Sequence, residues 1–554
     1  MGDSRTFFPA GSRRHRVPVT PGNRRYIRRV RIAALDLGTN SFHLLVAEVR
    51  GDGGFDALVR EKEMLRLGDE VARHGEIPEL AADRAVATVR RFRLLADAAG
   101  VDEIVACATS AIRVAANGDA LVDRIEAETE VDVRVIDGLT EAQLIFRAIR
   151  ASVLLDPAPA LCFDLGGGSV EIMVGDAAGL QWAASENLGV GRLTAELVES
   201  DPLSKEDRRR LRDRIETVLG PIAVQVARFE PKLVVGTSGT LEDLAHMVAA
   251  RRREDVPTSL NQLTITRDEF LPLHKLIVSS KASERRRLEG LEARRVDLIP
   301  AGSMFLATAM ELFGFDELTV SEWALREGIL LDAIGHHDPA DWTDDPRAIR
   351  RASVRELAGR YDIDPDHSRQ VARLALSIFD QTTELHGLGA RDRELLEYAA
   401  LLHNIGQHVA SEGHHKHAAY LIRHGQLRGF DPAEVNLLAA IARWHRKGDP
   451  RPTGETGPLG PDDEDRLRKL TAVLRVADGL DRSHHDIVDD VQVRVGASLV
   501  RVYLDAGGNV ELEQWAARRR RSLFEKVFDR ELELTTHPAG RRREGVSDPP
   551  PSGG

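Results

Sequence analysis

From Arg29 onward, short apolar runs alternate with stretches of helical period. RIAALDLGTNSFHLLVAEV places apolar residues on both sides of a Gly-Thr-Asn turn and predicts two tightly joined strands. AADRAVATVRRFRLLADAAG predicts an amphipathic helix closed at Gly100. VDEIVACATS, VDVRVIDG, ALCFDLGGGSVEIMVG and KLVVGTSGT predict further strands, each ending in small polar or glycine residues. Helices are expected between them at about 119–129, 140–153, 205–228 and 240–250. Strands alternating with helices imply an α/β layer architecture.

The pattern changes near residue 335, where GHHDPADWTDDPR reads as a polar linker. From about 350 to 482 nearly every segment has helical period. VQVRVGASLVRVYLDAGGNVELEQW, a helix and LELTTH then return to β-like alternation. The chain divides into a basic tail (1–28), two α/β units (29–155 and 156–335), a helical unit (345–485), a small α+β segment (486–538) and a last tail (539–554). Both tails are expected to be disordered.

The 554 residues suffice for several cores, and 42% hydrophobic against 30% charged residues is the balance of a soluble globular protein. No apolar run reaches the roughly eighteen residues of a membrane span, and the first residues lack the apolar core of a secretory signal. Cys107 and Cys162 sit in apolar runs and offer no disulfide framework, so a reducing cytoplasmic setting is expected. A net charge of −12 argues against a dedicated nucleic-acid binder, while leaving room for a local arginine cluster that meets a polyanion.

The candidate chemistry lies in three glycine turns. Asp36-Leu37-Gly38-Thr39-Asn40-Ser41 follows one predicted strand, and Asp164-Leu165-Gly166-Gly167-Gly168-Ser169 follows another. Gly236-Thr237-Ser238-Gly239-Thr240 follows a third and precedes a helix. Glycines let backbone amides approach an anion, and the hydroxyls add donors, so such turns can cradle phosphate oxygens. An Asp at a strand end can hold a divalent cation that neutralises phosphate charge. No lysine-bearing G-x-x-x-x-G-K-S/T loop occurs.

Two such hairpins in order resemble the actin-like (ribonuclease H-like) superfamily, which implies two subdomains facing each other across a cleft. Further local matches are Thr109-Ser110-Ala111-Ile112-Arg113, Ile136-Asp137-Gly138 with Glu141-Ala142, DLGGGSVEI with Glu171, GTSGT, LEGLEARRVDLIPAG and Ala324-Leu325-Arg326-Glu327-Gly328. Together they resemble the exopolyphosphatase / guanosine pentaphosphate phosphohydrolase family over about residues 30–335. Asp137 stands where that family has a small residue.

The resemblance implies a phosphoanhydride hydrolase that releases terminal orthophosphate from polyphosphate or guanosine pentaphosphate with Mg²⁺. Glu141 matches the glutamate that orients or deprotonates water, and its own position just inside a predicted helix also fits a capping role. Glu171 is expected to pair with Asp164 around the cation. Arg113 is expected to bring positive charge to the terminal phosphoryl group. His43 and His246 read as structural residues. A small-molecule kinase on the same frame, or a non-catalytic sensor of phosphorylated alarmones, are the alternatives.

In the helical region His367, His403-Asn404, His417, His445 and Asp478 form a spaced His/Asp array. Residues 395–483 resemble the HD-like domain appended to long members of that family, with Asn404 replacing the Asp of the His-Asp pair. Losing this carboxylate argues against a two-metal catalytic centre. The resemblance also implies a homodimer and a channel for long polyanions.

Overall fold

The computed structural model describes residues 30–49, 55–252, 257, 259–337 and 347–536. The expected tails, and most of the polar linker after residue 337, lie outside these residues. Eleven strands form two sheets in the front half: β1 (Arg31–Leu37), β2 (Ser41–Val49), β3 (Phe55–Met64), β4 (Glu103–Ala108), β5 (Val133–Val135), β6 (Ala160–Leu165), β7 (Val170–Gly175), β8 (Leu180–Glu186), β9 (Leu233–Thr237), β10 (Thr264–Thr266) and β11 (Glu317–Val320).

The first sheet runs β3-β2-β1-β4-β5 and the second β10-β11-β9-β6-β7-β8. In each, an antiparallel meander of three strands is extended by two parallel strands: β4 and β5 beside β1, β9 and β11 beside β6. The second sheet repeats the first and adds β10 at its edge. This repetition is the structural counterpart of the two Asp–Gly turns, because each turn joins the first two strands of its meander. The α/β class with two ribonuclease H-like halves read from the sequence is the observed one.

The four strands read from VDEIVACATS, VDVRVIDG, ALCF and KLVV all form. Sequence reading missed β3, β8, β10 and β11. FDALVREKEM is a polar edge strand whose alternation is masked by five charged residues, and LQWAASE is a half-exposed edge strand of the second sheet.

Two helices, Gly138–Ser152 and Leu325–His337, fill the space between the sheets. Ile32, Ala34, Cys107, Ile145, Phe146, Cys162, Met173, Val235 and Leu330 meet in one apolar cluster there, which binds the two halves together. Cys107 and Cys162 are both buried and free.

The rear half is built of helices that include Ala348–Tyr361, Pro365–Gln381, Ala390–Leu402, His414–His424, Pro432–Trp444 and Pro461–Gly479. A three-stranded sheet, β12 (Val488–Val495), β13 (Leu499–Ala506) and β14 (Glu531–Thr536), packs its apolar face into the same core. Arg350, 2% exposed, pairs with Glu434 at 2.8 Å and Glu394 at 3.0 Å inside this half. The halves meet where Gly429 N donates to Ser152 O (3.1 Å) and Arg360 pairs with Asp56 (2.8 Å). Among the described residues, no helix is long and apolar enough to cross a membrane.

Candidate active site

The first two glycine turns meet across a cleft of about 280 Å³ between the front halves. A Cβ on Gly167 would lie 2.3 Å from Asn40 Cγ, and one on Gly168 would lie 2.9 Å from Thr39 Oγ1. Only bare backbone fits at this approach. The third turn closes on the second: Ser238, at a left-handed φ of 74°, donates its hydroxyl to Leu165 O (2.6 Å). Gly38, Thr39, Asn40, Ser41, Gly166, Gly167, Gly168, Ser169, Ser238, Gly239 and Thr240 all line the cleft.

Two expected residues of the third turn do not. Gly236 lies in β9 with Leu241 and Leu318 against its α-carbon, and Thr237 donates its hydroxyl to Trp323 O at 3.0 Å. Both belong to the strand below the turn, since the strand runs two residues further than its pattern suggested.

Glu141, Asp164 and Glu171 all line the cleft. Glu141 enters on the first turn of its helix, which Asp137 caps by accepting from Thr140 N at 2.7 Å. The residue that departs from the family pattern is therefore a helix cap. Asp164 and Glu171 are direct partners in the β6–β7 register. β7 is buried on both faces, and Glu171 is 2% exposed. Ser185 donates to its Oε1 at 2.8 Å.

Arg113 is placed differently from its expected role. It is not among the lining residues; its Nη1 donates to Glu141 Oε2 (3.2 Å) and Ile136 O (2.6 Å). The arginine holds the glutamate from behind. Positive charge in the cleft comes instead from Lys62, Arg295 and Arg326. Arg295 packs against Gly239, where any Cβ would collide with its guanidinium. Arg295 and Arg326 stand in two quoted family segments, EARRVD and ALREG, whose charges the sequence reading did not assign. His43, read as structural, faces the cleft.

Seven carboxylates line the cleft, Asp36, Glu141, Asp164, Glu171, Glu242, Glu322 and Glu327, against those three cations. Burial pushes Asp36 up to about 8, Glu141 and Asp164 to about 7, and Glu171 well above the carboxylate range. The charge of Glu141 raises Asp36, Asp164 and Glu171 further, while Arg113 draws Glu141 back down. Asp36 Oδ1 and Asn40 Oδ1 are buried with no hydrogen-bond partner among the described residues. An anionic ligand cannot enter such a site unless the carboxylates are neutralised, and these hard oxygen donors fit a hard divalent cation.

Residues 45–337 match the model of the Ppx/GppA phosphatase family, and residues 349–505 match that of its domain III. The chain belongs to the Ppx/GppA phosphatase family. It is 32% identical over 332 residues to Exopolyphosphatase 1 of Mycobacterium leprae (strain TN), a match covering 60% of this chain and 96% of that protein. The crystal structure of an exopolyphosphatase from Cytophaga hutchinsonii is similar at a TM-score of 0.53 and 33% identity, over 55% of this chain and 98% of that one. The family fits a cleft built to handle phosphate.

A second constellation sits in the rear half. Nε2 of His367, Nε2 of His403 and a carboxylate oxygen of Asp478 lie close together, His367 at 3.7 Å and His403 at 3.9 Å from Asp478 Oδ1. His367 Nδ1 lies 2.8 Å from Asp481 Oδ2, and His403 Nδ1 lies 2.6 Å from Ala400 O. Each Nδ1–H therefore donates outward, which leaves the Nε2 lone pairs turned inward, as in metal-ligating histidines. His445 and His414 follow the same rule on Ala442 O and Ser411 O, and their Nε2 atoms are 3.3 Å apart. Within GHHKH it is His414, not the expected His417, that meets His445. Asn404 is buried beside this group, outside the trio. Arg520, from the helix Glu511–Arg520, contacts Asp478 Oδ2.

Proposed function

We propose that the protein is an exopolyphosphatase-type hydrolase that removes terminal orthophosphate from inorganic polyphosphate with Mg²⁺. The observation that carries the reading is the approach of Asn40 to Gly167, which brings two glycine turns, a buried Asp164–Glu171 pair and Glu141 onto one cleft. Backbone amides and hydroxyls of the turns bind the terminal phosphoryl oxygens. Asp36, Asp164 and Glu171 would hold the divalent ion, which neutralises phosphate charge when bound. Arg295, Arg326 and Lys62 take further anionic oxygens. Glu141 orients a water toward the terminal phosphorus and accepts its proton, with Arg113 fixing the carboxylate's direction.

Phosphoryl transfer needs positioning and charge neutralisation rather than covalent work from the protein, and this residue set supplies both. Inorganic polyphosphate as first substrate is supported by the name of the Mycobacterium leprae relative. Guanosine pentaphosphate is cut by the same chemistry and is included as a second substrate. The reading extends to a homodimer in the cytoplasm, in keeping with two buried, unpaired cysteines. In the rear half, His367, His403 and Asp478 fit one divalent ion with mostly nitrogen donors, apart from the oxygen-rich cleft.

The test is phosphate release from long-chain polyphosphate, guanosine pentaphosphate and ATP, each with and without Mg²⁺. Metal-dependent release from polyphosphate is the expected result. ATP-dependent phosphorylation of a sugar, without release from polyphosphate, would replace this reading by a kinase.

A further inference from the structure

His43 lies two residues beyond Ser41 on β2, so both side chains lie on the same face of the strand. Its Nε2 is 2.7 Å from Ser41 Oγ, and its Nδ1 is 3.4 Å from Arg326 Nη1. A guanidinium has no lone pair and can only donate. Nδ1 of His43 is therefore the acceptor, and the ring proton sits on Nε2. That proton donates to Ser41 Oγ, and the hydroxyl of Ser41 is left with its own hydrogen to give elsewhere.

The direction of this chain is fixed from its far end. Arg326 is held by Glu327 Oε1 through Nε (3.0 Å) and Nη2 (2.6 Å). Glu327, 1% exposed, also accepts from Arg60 Nη1 (3.2 Å) and Ala324 N (3.2 Å). Burial, with Arg326, Lys62 and Arg295 nearby, keeps the His43 imidazole well below its usual range and so neutral. Were the ring the other tautomer, Ser41 would donate to it and turn lone pairs toward the cleft, where they would repel phosphate oxygens.

We propose that His43 is a positioning residue, which with Arg326 makes the Ser41 hydroxyl an obligate donor toward a phosphoryl oxygen in the cleft. The assignment rests on the phosphate-binding reading of this cleft and adds to it a specific source of preference for an acceptor-only ligand. It also accounts for a half-buried histidine beside the apolar run Leu44-Leu45-Val46-Ala47 of the same strand.

The experiment compares the parent, S41A, H43L, S41A/H43L and H43Q for kcat/KM on polyphosphate, with thermal melts of each. Binding of tripolyphosphate by calorimetry reads the same coupling without turnover. A donor to a charged oxygen is worth about 10–100-fold, so S41A and H43L should each lose that much. The double variant should be no worse than S41A within about twofold, because His43 acts through the serine. H43Q, whose amide still donates to Ser41, should recover most of the loss. Losses that multiply in the double variant, or H43Q as poor as H43L with an unchanged melt, would overturn the assignment. If the parent releases no phosphate from polyphosphate, the functional reading fails instead, and the calorimetric coupling still decides the role of His43.

Discussion

Asn40 and Gly167 touch across the two halves of the front domain: a single Cβ on the glycine would lie 2.3 Å from the asparagine's amide carbon. These residues are 127 positions apart in the chain, yet they belong to matching turns of two matching sheets. The contact sets the width of the cleft, since each turn presents its backbone amides from one side.

Gly189 supports that contact from behind, because its Cβ would meet the Gly167 carbonyl carbon at 2.4 Å and Gly168 N at 2.5 Å. Backbone cannot rotate away as a side-chain tip can. Gly189→Ala should displace the second turn, lower stability by about 1–3 kcal/mol and reduce kcat/KM at least tenfold. Gly220→Ala, with open space around it inside the helix Lys205–Val226, is the control that should leave kcat/KM unchanged and raise stability by up to about 1 kcal/mol. Denaturant melts and phosphate-release assays measure the difference.

If Glu141 is the proton acceptor proposed above, it and Arg113 should set the acid side of the pH profile. Burial raises Glu141 to about 7, and the Arg113 guanidinium opposes that rise by favouring the ionised carboxylate. A carboxylate accepts a proton only when ionised, so in that role activity should fall as pH drops through the pKa of Glu141. Removing the cation raises that pKa further. Arg113→Met should therefore move the acid limb of kcat/KM to higher pH by about one unit. An unmoved limb would mean that a different group governs it.

The histidine cluster of the rear half should bind metal in competition with Arg520, whose guanidinium already contacts Asp478. With the cleft saturated by Mg²⁺, Zn²⁺ at about a hundred times its dissociation constant should add about 2.7 kcal/mol of stability. His403→Ala should abolish the added stability, and Arg520→Gln should lower the Zn²⁺ concentration that half-saturates it. Metal content by elemental analysis checks the stoichiometry. Equal Zn²⁺ shifts in the parent and His403→Ala would refute the site.

Much of this arrangement was legible in the residue pattern, for physical reasons. Buried central strands such as IAAL and ALCF are continuous apolar runs with a glycine turn after each, and that pattern has few other structural meanings. Asp36 and Asp164 stand out because an acid at the end of a buried strand needs a partner. Edge strands were missed where charge hides alternation, as in FDALVREKEM. The placement of Arg113 behind Glu141 depends on packing between residues 28 positions apart, which no local spacing encodes. Arg295 and Arg326 were visible only as pieces of motifs, since an arginine aimed into a cleft and one aimed at water look alike in one dimension.

The most direct test of the central claim is phosphate release from long-chain polyphosphate by the parent and Glu141→Gln, with polyphosphate binding measured in parallel. A group that accepts the proton of the attacking water contributes about 10²–10⁴-fold, so the amide should lose at least a hundredfold in kcat while still binding the chain. A variant that keeps more than about a tenth of the parent rate would contradict Glu141 as the group that activates water.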